Sequence, residues 1–235
     1  MGMQAVLRVL YPPACFCCGE GVASGGLCGP CWRDTPFVTG AVCDRCGTPV
    51  PGAEDAEACD DCLRMLPPWD QGRAALIYGD NARRMVLALK HGDRQDLIAP
   101  AARWMAQAVA PILRPDMLVA PVPLHWTRLI RRRFNQSALL ATGLARATGL
   151  TAAPALLTRT RRTASQDGRG AAARFENVSG AMRVRRPQAV PGRAVLLVDD
   201  VMTTGATLAA AAEACRDAGA AYVAVAVLAR VVKTP

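Results

Sequence analysis

The clearest pattern in the chain lies near its C-terminal end. Val195 to Val198 are apolar without interruption, two acids and the run Thr203 Thr204 Gly205 Ala206 Thr207 follow, and alanine dominates up to Ala218. Gly219 and a second apolar run, Ala221 to Ala229, complete the unit. Unbroken apolar runs bounded by turn residues predict strands buried on both faces, over Arg193 to Val198 and Ala221 to Ala229. The alanine-rich stretch Thr207 to Ala218, stopped by glycine, predicts a helix. Strand, loop, helix and strand in this order predict a right-handed crossover in a parallel sheet, hence an α/β fold.

Upstream, Gly72 to Tyr78 predicts a strand, and Asn81 to Lys90 a helix with Met85, Val86 and Leu89 on one face. A second helix is expected from about Asp96 to Val109. Met117 to Val122 reads as a buried strand whose end, marked by Pro121 and Pro123, opens into a loop carrying Arg128, Arg131, Arg132 and Arg133. Asn135 is placed to cap a helix with Leu139, Leu140 and Leu144 on one face and Gly149 at its end. Residues 158 to 193, rich in Arg, Gly, Ser and Thr, predict a long mobile loop followed by short strands.

The first 62 residues show no such periodicity but hold nine of the ten cysteines. Pro67 and Pro68 mark a composition boundary, so a small module over 1–67 and a main domain over 68–235 are expected. With 235 residues, 51% of them hydrophobic, one full core and a satellite fit the length. No apolar run reaches the ~18 residues of a membrane span, and the opening decapeptide, interrupted by Arg8, lacks a secretion-signal pattern; the expected location is cytoplasmic.

The net charge of +9 is unevenly spread. Residues 1–70 carry four arginines against nine acids, whereas residues 128–193 carry fourteen arginines against Asp167 and Glu176. Such a basic segment suits a polyanion, although in a chain with only two lysines many of these arginines can equally be ordinary solvated charges.

In an open parallel sheet, ligands collect beyond the carboxyl ends of the strands. Asp199 and Asp200 stand at that edge, and Val201 to Thr207 lead into a helix. Gly205 lets a ligand approach the backbone amides, and the helix dipole and the hydroxyls of Thr203, Thr204 and Thr207 favour a phosphate. Two carboxylates beside it suit vicinal hydroxyls or a hydrated Mg2+. A phosphorylated ribose satisfies both halves. A Walker loop and a dinucleotide fingerprint are excluded by their missing glycine patterns.

Val195 to Thr207 resembles the ribose-phosphate signature of type I phosphoribosyltransferases. More of the chain is similar to the ComF family of competence-related proteins: paired cysteines at the start, Pro121 Val122 Pro123, Arg132 with Phe134 Asn135 Gln136, then Thr163, Gln166, Arg174, Asn177, Val178 and Ala181. The resemblance implies a type I phosphoribosyltransferase-like parallel sheet flanked by helices behind an N-terminal zinc-ribbon module. It implies that Asp199 and Asp200 hold ribose hydroxyls, that Thr203, Thr204, Gly205 and Thr207 bind the 5-phosphate, and that Val201 and Ala206 complete the loop. Arg131 to Arg133 would face pyrophosphate, with Arg131 and Arg132 as catalytic candidates beside the acids, and Arg159 to Arg174 would form a flap. Arg133 and Arg169 stand where the family usually has Gly and Leu.

Cys15 and Cys18, Cys28 and Cys31, Cys43 and Cys46, and Cys59 and Cys62 form four Cys-x-x-Cys knuckles, which suit two structural Zn2+ ions. Consecutive knuckles, or alternate ones in a cross-brace, can share an ion. Cys17 is a surplus sulfur, and Cys215 is expected to be a buried small apolar residue. The acidity of this module repels a phosphate backbone, so it is expected to serve folding or a protein partner, leaving single-stranded DNA to Arg128–Arg186. His91, His125 and four scattered tryptophans give no clear site. Two functions follow: a protein of DNA uptake and natural transformation that binds phosphoribosyl pyrophosphate, or a nucleotide-salvage phosphoribosyltransferase that joins 5-phosphoribose to a base and releases pyrophosphate.

Overall fold

In the computed structural model, residues 13–23, 25–50, 52, 58–91, 94–125, 134–161 and 171–232 are described. Two single-turn helices, α1 (Gly29–Arg33) and α2 (Asp60–Arg64), belong to the cysteine-rich segment. Then come β1 (Gln71–Ile77), α3 (Asp80–His91), α4 (Ile98–Val109), β2 (Leu118–Pro121), α5 (Gln136–Thr148), β3 (Thr151–Ala152), β4 (Leu157–Arg159), α6 (Ala171–Val178), β5 (Met182–Val184), β6 (Ala194–Met202), α7 (Ala206–Asp217) and β7 (Tyr222–Arg230). Five strands form one parallel sheet in the order β1-β7-β6-β2-β3, and β4 pairs with β5 in a separate antiparallel ribbon.

The central strands are apolar throughout because both faces of the sheet are covered. Val195, Leu197, Val223 and Val225 pack on the α7 side, while Leu196, Val198, Ala224 and Ala226 pack with α3, α4 and α5. The alternation is the strand's own period of two. Asn135 caps α5, accepting from the Ser137 amide at 3.1 Å, and Gly149 ends it in the left-handed region. The buried stripe of α5 is Leu140, Ala141, Leu144 and Ala145, and Leu139 is only partly covered.

The stretch 158–193 departs from the expected loop. It contains α6, whose Phe175 and Val178 pack on the core beside α7, and the β4–β5 ribbon. The run Ala171 to Arg174 is made of good helix formers, which outweigh the glycines before it. Residues 162–170, with Thr163, Gln166 and Arg169, lie outside the described residues.

The cysteine-rich segment lies against β1. The Phe37 backbone bridges Leu76, the Val38 amide donates to Ala75 O at 3.0 Å, and the Ile77 amide donates to Pro36 O at 2.8 Å. The approach is closest at two glycines: a Cβ on Gly72 would stand 2.5 Å from Arg45 O, and one on Gly47 would stand 2.7 Å from the Ala74 amide nitrogen. Only a residue without a side chain permits such contact. Asp44 pairs with Arg73 at 2.7 Å across the same seam. Cys43, Cys46, Cys62 and Trp69 share one apolar cluster with α7, and Trp32, Phe37 and Trp104 meet edge-on or tilted, with centroids 4.6–6.2 Å apart. No helix among the described residues is long and apolar enough to cross a membrane.

Candidate functional site

β6 runs beyond its neighbour. Its pairing with β2 ends at Pro121 opposite Val198, whereas its pairing with β7 continues to Met202 opposite Arg230. Asp199 is thus the first residue of β6 past the end of its pairing with β2, at the carboxyl edge of the sheet. The Ser137 hydroxyl at the start of α5 donates to Asp199 Oδ1 at 2.7 Å, and the Asp200 amide donates to the same atom at 2.9 Å. Asp200 points to the other side, where Lys90 near the end of α3 lies 3.4 Å from its Oδ2. Burial, reinforced by the charge of Asp200, pushes the Asp199 carboxyl up to about 7; the Ser137 hydroxyl, the Asp200 amide and Lys90 act in the opposite sense.

Gly205 takes a φ of +79° and caps α7. Asp199, Val201, Thr203, Gly205, Ala206 and Thr207 line one small cavity at the N-terminal end of that helix. The Thr204 hydroxyl accepts from the Ala206 amide at 3.4 Å, and Thr204 faces a second cavity on the α7 side. A cavity at a helix N-terminus favours an anion. On the β2 side, Pro121, Pro123, Asn135 and Arg159 line a further cavity of about 470 Å³. Arg131, Arg132 and Arg133 lie outside the described residues.

Three residues join the site that the sequence pattern does not single out: Ser137, Lys90 and Arg230. Lys90 is one of only two lysines, and Arg230 ends an otherwise fully apolar strand, so both carried a signal. Arg230 is 8% exposed, and its Nη1 donates to Met202 O at 3.2 Å and to Thr203 O, which pins the floor of the loop. His125 is buried beside the β2 loop, and Cys215 is buried in α7, its thiol pushed up to about 12 by burial. Cys215 is therefore the small apolar core residue that was expected.

The eight knuckle cysteines gather as Cys15, Cys18, Cys28 and Cys31, and as Cys43, Cys46, Cys59 and Cys62. Consecutive knuckles therefore share a site, and the cross-brace is not used. Within each set the sulfurs lie within 4.8 Å of one another. The Cys18–Cys28 and Cys46–Cys59 sulfurs stand 3.6 and 3.7 Å apart. A tetrahedron with Zn–S arms of 2.3 Å requires about 3.8 Å. The residues present therefore fit structural zinc. Cys17 belongs to neither set, and burial pushes its thiol up to about 11.

Two family patterns and several known proteins resemble this chain. The double zinc ribbon domain pattern matches residues 6–63, and the phosphoribosyl transferase domain pattern matches residues 101–234. The DNA utilization protein YhgH of Escherichia coli (strain K12) is 33% identical over 220 residues, which span 90% of this chain and 94% of that protein. Competence protein F of Haemophilus influenzae is 30% identical over 193 residues, 80% of this chain and 82% of that one. Among solved structures, the glutamine phosphoribosylpyrophosphate amidotransferase from B. subtilis aligns with a TM-score of 0.41 at 22% identity, covering 60% of this chain and 30% of that one. With both domain patterns present in order and such relatives matched almost end to end, the chain belongs to the ComF family, in which a double zinc ribbon precedes a phosphoribosyltransferase-like domain.

Proposed function

We propose that this chain binds the 5-phosphoribose part of phosphoribosyl pyrophosphate and acts in DNA uptake and natural transformation. The observation that carries the reading is the adjacency of a small cavity at the start of α7 to the two carboxylates Asp199 and Asp200 in the last half of β6. Thr203, Gly205, Ala206 and Thr207 would surround the 5-phosphate, with Thr204 bracing the Ala206 amide. Asp199 and Asp200 would accept from the ribose hydroxyls, with Ser137 and Lys90 orienting them. Mg2+, bound with the pyrophosphate, would neutralise its charge. Arg131 and Arg132 would face the same group. The names of the relatives support the cellular role, and the division at residue 67 remains part of this proposal.

Single-stranded DNA would meet the basic segment through Arg183, Arg185 and Arg186, all exposed on and after β5. Arg159 and Arg161 have other work: Arg159 is buried, and Arg161 donates to Ser179 O at 2.9 Å. The zinc ribbon, with its acidic surface, would serve the fold and a protein partner in a cytoplasmic setting.

Calorimetric titration with phosphoribosyl pyrophosphate and Mg2+, with pyrophosphate release followed in the presence of bases and of single-stranded DNA, tests this reading. Binding without release is the expected outcome. Release with a base would identify a salvage transferase, and no binding would overturn the assignment of the loop.

A further inference from the structure

A second cavity adjoins the phosphate loop on its α7 side, with a volume of about 310 Å³. It shares Met202 and Thr203 with the cavity at the start of α7. Trp69 and Phe175 supply aromatic walls, and Met65 and Leu66 stand at its mouth, 57% and 69% exposed. Apolar side chains left this open beside a polar loop are characteristic of a ligand surface. Arg230 lines the same cavity, 92% buried, and its Nε–H has no hydrogen-bond partner among the described residues. A buried donor left unpaired is costly, and an acceptor on a ligand would satisfy it.

A mainly apolar, aromatic-walled pocket whose polar lining is Asp61, Arg64, Thr203, Thr204 and Arg230 fits a nucleobase, which offers a π face together with ring donors and acceptors. Its position limits how that base is attached. The ribose proposed above the acids carries its own base at the anomeric carbon, but this cavity borders the phosphate, through Thr203 and Thr204. A base here must therefore hang from the other side of the phosphate, on the preceding nucleotide of a strand. The acids add a second restriction, because they call for free sugar hydroxyls, which a strand offers only at its 3′ end.

Resting on the ribose-phosphate reading of the loop, we infer that the loop and this cavity together hold the 3′-terminal dinucleotide of a single strand. The terminal sugar lies at Asp199 and Asp200, its 5′-phosphodiester at the start of α7, and the penultimate base in the cavity formed by Trp69, Phe175, Leu66 and Arg230.

The test compares ligands of equal charge on the full chain. UpU is titrated against uridine 5′-(methyl phosphate), which keeps the diester and the terminal nucleoside but lacks the preceding one. TpT and thymidine 5′-(methyl phosphate) form a second pair, and separate RNA ends from DNA ends by the 2′-hydroxyl. Each dinucleotide should bind roughly 5- to 100-fold tighter than its methyl ester, the range of one base–aromatic stack. Leu66→Ala and Phe175→Ala should erase that ratio while the methyl esters bind as before. Equal affinity within either pair, with ribose 5-phosphate still bound, would overturn the cavity assignment alone. Failure of ribose 5-phosphate to bind at all would overturn the reading of the loop as well.

Discussion

Replacing Gly205 by alanine probes the join between the ribbon and the loop proposed to hold phosphate. Gly205 sits at φ +79°, and a Cβ there would stand 2.9 Å from the Trp69 ring. The left-handed conformation costs about 1–2 kcal/mol for a residue with a side chain. Overpacking adds about 1–3 kcal/mol if the ring cannot retreat. Trp69 is 4% exposed and its Nε1–H donates to Arg45 O at 2.6 Å, so it is fixed from the ribbon side. The sum of about 2–5 kcal/mol corresponds to a melting temperature lower by about 5–15 °C in a chain of this size. Differential scanning calorimetry of the Gly205→Ala, Trp69→Phe and double variants forms a cycle. The double variant should recover part of the clash, with a coupling of about 1 kcal/mol or more in its favour. Ribose 5-phosphate affinity should fall at least about tenfold in Gly205→Ala, because the Ala206 and Thr207 amides move with the cap. A single variant within about 0.5 kcal/mol of the parent, or strictly additive effects, would refute this account of the join.

Because Asp199 carries its proton up to about pH 7 in the folded chain, against about 3.9 when unfolded, folding takes up protons between these values. Stability should therefore fall as pH rises from 4 to 7, and ribose-phosphate affinity should rise roughly tenfold between pH 6 and 8; Asp199→Asn should flatten both curves once the titration of the phosphate is subtracted. Removing the Ser137 hydroxyl in Ser137→Ala should cost about 1–3 kcal/mol in ligand affinity and raise the pH midpoint further, as measured by calorimetric titration. Native mass spectrometry should find two zinc ions, and one in Cys43→Ser or Cys18→Ser. Cys43 is buried in the shared core and Cys18 is exposed, so the first variant should lose about 6–12 °C and the second less. Reversing Arg183, Arg185 and Arg186 to Glu should lower single-stranded DNA affinity and reduce its salt slope by about 2, read from binding at several salt concentrations.

The last β–α–β unit was legible because its strands are buried on both faces, which leaves the uninterrupted apolar runs Val195 to Val198 and Ala221 to Ala229. The loop between them was plain in its position, since it joins the carboxyl edge of the sheet to the start of α7. What escaped depends on contacts between distant residues. Lys90 reaches Asp200 only because α3 returns along the sheet to the end of β6, and nothing local to His91 announces that. Ser137 looked like part of a helix start, and its bond to Asp199 comes from α5 lying under the edge that β2 leaves open. The knuckle spacings allow either pairing of the cysteines, and only the folded chain shows that consecutive knuckles come together. α6 was missed because its good helix formers, Ala171 to Arg174, span little more than one turn beside two glycines, and the seat of Phe175 and Val178 beside α7 that completes it is tertiary.

The hydrogen bonds from residues 36–38 to β1 have a consequence for handling the protein. β1 is a terminal strand of the sheet, and the outer backbone edge of its apolar residues Ala74, Ala75 and Leu76 would otherwise be unpaired, the template on which strands of separate molecules associate. The cysteine-rich segment occupies that edge. A fragment trimmed to begin at β1 would expose it, and should aggregate in proportion to concentration even with every residue of the phosphate loop intact. Chelators would then act on solubility before they act on binding.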